Sequence, residues 1–61
     1  MSRHWKEKTI SRRKNHGYIV RYENISTVYN DADYYVLFDN DGNFVERSIN
    51  YNKLHSKLFF D

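Results

Sequence analysis

Three consecutive cations, Arg12-Arg13-Lys14, lie among aromatic side chains in the first third of the chain. Cations contact phosphate groups and flat rings stack on bases, so cations interleaved with rings are typical of a nucleic-acid-binding surface. An ordinary solvated basic loop has the same composition, and the sequence leaves that interpretation open. We predict that DNA or RNA binds to this segment. The candidate residues are Lys6, Lys8, Arg12, Arg13, Lys14, Tyr18, Arg21 and Tyr22.

A second candidate surface combines tyrosines, acidic residues and the apolar C-terminus. Tyrosine is enriched in protein-binding hot spots because it offers a large contact area for few torsions. Under this alternative the protein is an interaction module, such as a phage-encoded inhibitor or adaptor of a larger enzyme, and a homodimer is left open. The same tyrosines also fit a half-buried core. The candidate residues are Asp31, Asp33, Tyr34, Tyr35 and Phe60.

Signatures of catalysis are absent from the sequence. It has no phosphate-binding glycine loop, dinucleotide-binding glycine pattern, zinc-protease motif or nucleophile elbow. His4, His16 and His55 are far apart and lack carboxylates at ligand spacing. Asp39 and Asp41 are two residues apart, but aspartates are common in turns for structural reasons. We therefore predict a binding protein with no enzymatic activity, no metal and no cofactor.

The charge of the 61-residue chain is unevenly distributed. Residues 1–21 carry seven cations and one acid, whereas residues 22–61 carry three cations and seven acids. The net charge of +2 thus hides a basic first third, which fits either a polyanion partner or an internal match with the acidic remainder. No cysteine is present, so disulfides are excluded. No signal peptide or stretch of about 20 apolar residues is seen, and we expect a cytoplasmic protein without membrane contact.

The elements that must position these side chains are mostly strands in a single domain, residues 1–61. Strands are predicted at 16–25, 34–39 and 43–49 because these runs are rich in β-branched and aromatic residues. Asp41-Gly42 is a strong hairpin signal, and we expect Gly42 to have positive φ in a two-residue or bulged turn. Residues 1–15 are read as a basic arm or as a strand over about 5–11.

The C-terminal part is predicted to contain a short helical turn near residues 50–54 and a last strand at 56–61. The apolar end of the chain is expected to pack against the domain or a second copy. Because an alternating strand buries only one of two adjacent phenylalanines, one of Phe59 and Phe60 should face outward.

This order of elements resembles the SH3-like small barrels of the Tudor and KOW type. The resemblance rests on Gly17-Tyr18-Ile19-Val20, on the run 34–39 followed by Asp41-Gly42, and on Tyr51-Asn52-Lys53-Leu54. It implies a mainly β fold, either a five-stranded barrel or a strongly bent antiparallel sheet, with a short helical turn near residues 50–54. Such barrels often bind nucleic acid through a sheet face, whereas Tudor-like domains hold methylated cations in aromatic cages.

Overall fold

The computed structural model describes residues 5–28 and 31–60, which form one antiparallel sheet and one helix. The strands follow the order β1-β2-β3-β4 across the sheet, so each hydrogen-bonds to its neighbour in sequence. The elements are β1 (Trp5–Arg13), β2 (Gly17–Asn24), β3 (Tyr34–Asp39), β4 (Phe44–Ser48) and α1 (Tyr51–Phe60). The prediction of a mainly β protein is confirmed. The described residues form an open four-stranded sheet and not a five-stranded barrel.

Residues 51–60 form a single helix, which contradicts the predicted last strand at 56–61; Asp61 lies outside the described residues. Tyr51, Leu54 and Leu58 recur at spacings of three and four, so they share one side of a helix. Asn50 caps this helix, because its side-chain Oδ1 accepts a hydrogen bond from the backbone N–H of Asn52 at 3.0 Å. The predicted helical turn near 50–54 is therefore the start of a longer helix.

The core lies between α1 and one face of the sheet. It consists of Ile19 on β2, Leu37 on β3, and Leu54 and Leu58 on α1, all buried. Phe59 packs against this cluster, while Phe60 is 78% exposed. The expectation that the C-terminus packs on the domain and leaves one phenylalanine outward is confirmed, but it results from helix geometry and not from the predicted strand alternation. Burial of each aliphatic side chain contributes roughly 1.5–3 kcal/mol to stability.

Polar contacts also hold α1 to the sheet. Arg13 donates a hydrogen bond from Nη1 to the carbonyl of Leu58 at 2.9 Å, near the helix C-terminus, where a cation is favourable. Glu46 on β4 forms ion pairs with Lys53 and Lys57, each at 3.1 Å, and these lysines, Lys57 first, lower the pKa of Glu46. The hydroxyls of Ser11 and Tyr51 hydrogen-bond to each other. Polar contacts therefore hold both edge strands, β1 and β4, to the helix.

The turn between β3 and β4 confirms the hairpin prediction in its bulged form. Gly42 has φ +86°, and its N–H donates to the carbonyl of Asp39 at 3.0 Å. The Asp39 carboxylate accepts hydrogen bonds from the backbone N–H groups of Asn43 and Asp41, each at 2.9 Å. These bonds, that from Asn43 first, lower the pKa of Asp39. A turn followed by one left-handed glycine is a common three-residue hairpin loop.

The pairing of β2 with β3 depends on a different glycine, at the start of β2. Gly17 has φ +150° and faces Asp39 across the β2–β3 pair. A Cβ at Gly17 would lie 2.2 Å from the carbonyl oxygen of Phe38. The backbones of β2 and β3 approach each other here as only glycine allows.

Residues 5–13 of the predicted basic arm form the strand β1, and residues 1–4 lie outside the described residues.

Candidate nucleic-acid interface

We use the term open face for the sheet surface opposite α1. Successive strand residues point to opposite sides, so Ile19 and Leu37 face the helix, and Val20 and Val36 face away from it. Val20 and Val36 pair across β2 and β3 and are only 7% and 6% exposed, although no described element covers them. Their neighbours along the same strands are aromatic, while Thr9 on β1 and Arg47 on β4 lie directly opposite them. The open face is therefore a largely aromatic surface whose own side chains shield the two valines.

The first row of rings on the open face joins Tyr18 and Phe38. These residues are directly paired across β2 and β3, and their rings stack with centroids 5.2 Å apart and an interplanar angle of 24°. Arg12 pairs with Tyr18 from β1, and its guanidinium carbon lies 4.9 Å from the Tyr18 ring centroid. On the other side of Phe38, β4 places Phe44, which is 64% exposed. The row thus has a cation at one end and an exposed ring at the other.

The second row is centred on Tyr34. Its ring stacks on Tyr22 with centroids 4.9 Å apart and planes 11° from parallel. Trp5 meets the same ring edge-on at 4.9 Å, and the Arg47 guanidinium carbon lies 4.0 Å from its centroid. Because Arg12 lies on β1 and Arg47 on β4, the two rows end in cations on opposite edges of the sheet. Each cation–π contact is worth about 0.5–1 kcal/mol at an exposed site.

The electrostatics of the open face are mixed. Arg12 and Arg47 carry its positive charge, and Glu7 lies opposite Tyr22 in the β1–β2 register. Burial raises the pKa of Tyr22, and the negative charge of Glu7 raises it further. The Tyr22 hydroxyl is protonated at neutral pH, as is usual for tyrosine, and is a hydrogen-bond donor. The arrangement combines flat rings, arginine cations and hydroxyl donors on one surface.

The eight residues predicted to bind nucleic acid do not share one surface. Arg12, Tyr18 and Tyr22 lie on the open face. Lys6, Lys8 and Arg21 point to the α1 side of the sheet, where they line a cleft beyond the N-terminal end of the helix. Arg13 also points to the α1 side and bonds to the helix, while Lys14 belongs to the β1–β2 turn.

The alternative set of protein-binding residues is dispersed more widely. Tyr34 belongs to the open face, whereas Tyr35 packs against the core beneath α1. Asp33 binds within the chain, since Oδ1 accepts the N–H of Asn24 and Oδ2 pairs with Arg21, each at 3.0 Å. These bonds, that from Asn24 first, lower the pKa of Asp33. Asp31 lies in the loop before β3, and Phe60 at the end of α1.

Sequence reasoning missed three residues that complete the rows of rings: Phe38, Phe44 and Arg47. A signal was present, because Tyr18 and Tyr22 on β2 and Tyr34 and Phe38 on β3 have the same spacing of four. In an antiparallel pair such spacing places two rings of each strand opposite two rings of the other. Trp5 also contacts Tyr34, and this contact depends on the register of β1.

Within residues 5–28 and 31–60, no group of three or more histidine, aspartate or glutamate side chains is placed to hold a metal ion. The same part of the chain includes no helix long and apolar enough to cross a membrane. No family model, curated protein or solved structure matches this chain. The geometry of the open face is therefore the basis for a functional proposal.

Proposed function

We propose that this protein is a small non-enzymatic module that binds single-stranded nucleic acid through its open face. The observation that carries the proposal is the pair of ring rows, Tyr18–Phe38 and Tyr22–Tyr34, each ending in an arginine. Rings that are not covered by another element offer stacking partners to bases. Arginines at the ends of the rows supply charge for phosphates. Both features together favour a nucleic acid over a small apolar ligand.

A single strand fits this surface better than a duplex does. Bases of a duplex are already stacked and paired, so their faces are not available to protein rings. In a single strand, a base extends a row by stacking on its last ring. Arg12 or Arg47 then moves from the ring face to the adjacent phosphate. Stacking of this kind is worth about 1–3 kcal/mol per base and tolerates any base.

The charge of the chain supports the same proposal. The sequence pI is about 9.0, and β1 with its turn brings cations to both sides of the sheet. Contacts to single-strand phosphates make log affinity fall with log salt concentration by about 0.7 per phosphate. The proposal does not depend on the resemblance to SH3-like barrels, which stays a prediction, as does the cytoplasmic location.

A protein partner is the second candidate, and the exposure of β4 favours it. Phe44, Val45 and Ile49 are large apolar residues on or next to this edge strand, and they are 64%, 49% and 76% exposed. An edge strand with unpaired backbone groups and apolar side chains can accept a strand from another chain. A protein bound there would use the backbone of β4 and leave Arg12, on β1, unaffected.

The test is fluorescence anisotropy with labelled single- and double-stranded oligonucleotides at two salt concentrations. We expect stronger binding of single strands, and we expect Arg12→Gln and Arg47→Gln each to weaken binding several-fold without unfolding the domain. Lys53→Gln is the matched control, because it also removes one positive charge, but from α1. Absence of binding at low salt, where electrostatic attraction is strongest, would refute the proposal. Capture of a partner from nuclease-treated lysate would then favour the second candidate.

A further inference from the structure

We infer that the cleft on the α1 side of the sheet, beyond the N-terminal end of the helix, is a binding site for a phosphate group. The cleft has a volume of about 180 Å³ and is lined by Lys6, Lys8, Ile10, Arg21 and Glu23. Three of the five lining residues are cations from two neighbouring strands. The ring rows of the open face lie on the other side of the sheet, so this site is separate from the proposed stacking surface.

The strand register concentrates positive charge in the cleft. Lys8 lies directly opposite Arg21, and Lys6 lies opposite Glu23. Like charges directly opposite one another in a sheet are unfavourable, and the acids nearby, Glu23 and Asp33, balance two of the three cationic charges. A bound phosphate would add negative charge between the lysines and Arg21. A phosphate group is therefore a better match for the cleft than a neutral ligand.

Arg21 is held in place for such a ligand. Its Nη2 bonds to Asp33 Oδ2 at 3.0 Å, and Asp33 is itself held by the backbone N–H of Asn24. The Nε–H of Arg21 is enclosed and is not open to a ligand in the cleft. A guanidinium anchored at one nitrogen holds its remaining planar group in a fixed orientation, which suits the oxygens of a phosphate. The lysines, which are exposed, act as mobile point charges beside it.

Glu23 makes it possible to test whether the cleft prefers a negatively charged ligand. Its carboxylate lines the same cleft and repels an anion there. If the cleft binds phosphate, removing this charge should tighten binding, whereas removing Lys6 and Lys8 should weaken it. A merely structural role for these residues would not give opposite effects on phosphate affinity.

The experiment is an NMR titration of ¹⁵N-labelled protein with inorganic phosphate at constant ionic strength. We expect saturable shifts of the backbone signals of the lining residues and of the Arg21 Nε–H signal. The double variant Lys6→Ala/Lys8→Ala should bind about tenfold more weakly or worse, because two of three cationic contacts are lost. Glu23→Gln should bind several-fold more tightly, and Lys53→Gln, which removes one positive charge from α1, should bind as the parent does.

Shifts that do not saturate, or equal phosphate affinity in the parent and the double-lysine variant, would overturn the inference. Far-ultraviolet circular dichroism of each variant shows whether it is folded, and Glu23→Gln alone gives an independent test if the double variant is not. An affinity for phosphate that falls or stays unchanged in Glu23→Gln would also overturn it.

A second arm distinguishes the source of the phosphate, and this arm alone rests on the proposed function. If the backbone of a bound single strand crosses β1 and reaches the cleft, the double-lysine variant should show a salt dependence flatter by about 1.4 units, for two lost contacts. If the double-lysine variant has the salt dependence of the parent for oligonucleotides, and the parent binds inorganic phosphate, the ligand is free phosphate or a small phosphate ester. Loss of oligonucleotide binding in Arg12→Gln tests the open face and leaves the cleft result unaffected.

Discussion

Gly17 is the position at which one added carbon atom should cost the most stability. In Gly17→Ala the new Cβ would lie 2.2 Å from the carbonyl oxygen of Phe38 and 3.2 Å from the Cα of Asp39. Both atoms belong to the backbone of β3, which hydrogen-bonds to β2 and cannot rotate away as a side chain would. The φ of +150° is a second obstacle, because residues with a Cβ rarely adopt it.

The magnitude follows from these two effects. A non-glycine residue in a sparsely populated backbone conformation costs about 1–3 kcal/mol. Displacement of packed neighbours to make room costs about 1–3 kcal/mol more. A domain of 61 residues has a total stability of only about 3–9 kcal/mol. We therefore expect Gly17→Ala to lose about 2–6 kcal/mol and to be largely unfolded at the upper end of that range.

Gly42→Ala is the matched control for this substitution. Gly42 also has positive φ, at +86°, but the nearest atom to its Cβ position is the Tyr18 hydroxyl at 3.4 Å, the far end of a side chain. We expect a loss of about 1 kcal/mol, because only the backbone conformation is unfavourable. Urea unfolding followed by circular dichroism and by the fluorescence of Trp5 measures both free energies. A loss in Gly17→Ala no greater than that in Gly42→Ala would refute the close-approach argument.

Three further predictions concern the helix and the acidic groups. Leu54→Ala should destabilise by about 2–5 kcal/mol in urea unfolding, because Leu54 is fully buried and leaves a cavity. Asn50→Ala should lose about 1 kcal/mol through the lost helix cap, and Asn50→Ser should restore most of it. Asp33 and Asp39, which accept backbone N–H bonds, and Glu46, beside its lysines, have pKa values lowered by folding. Their contribution to the free energy of unfolding is complete above the unfolded pKa values of about 4 and is lost as pH falls through the lower folded values. The melting temperature should therefore decrease when the pH is lowered below about 4. A melting temperature that stays constant down to about pH 2 would contradict the assignment of these bonds.

The sequence predicted the strands better than the helix because strand signals here are local. The run Tyr34-Tyr35-Val36-Leu37-Phe38 has strong β propensity, and Asp41-Gly42 marks its turn. The apolar run Leu58, Phe59 and Phe60 is also typical of a strand, and it therefore predicts a strand where the structure has the second half of the helix. The spacing of Tyr51, Leu54 and Leu58, with Asn50 before it, was the better signal.

The composition of the open face was harder to predict because two register shifts change which residues share it. In β1 the shift between Thr9 and Ser11 places Glu7 and Arg12 on the open face, although strict alternation would separate an odd from an even position. In β4 a shift likewise places both Phe44 and Arg47 there. A bulge reverses every later side chain of its strand, and its position depends on pairing with the neighbouring strand.

The same rings that form the proposed interface also shield Val20 and Val36, and this double role decides how the interface must be tested. One helix covers one face of the sheet, so the other face needs a cover of its own, and the stacked tyrosines and Phe38 provide it. A tyrosine variant that lost binding would therefore leave two explanations, lost stacking or a disturbed sheet. Arg12 lies opposite Tyr18 and away from the valines, whereas Arg47 lies directly opposite Val36. Replacement of Arg12 therefore changes the proposed interface while leaving the shield in place, which makes Arg12 the more decisive probe.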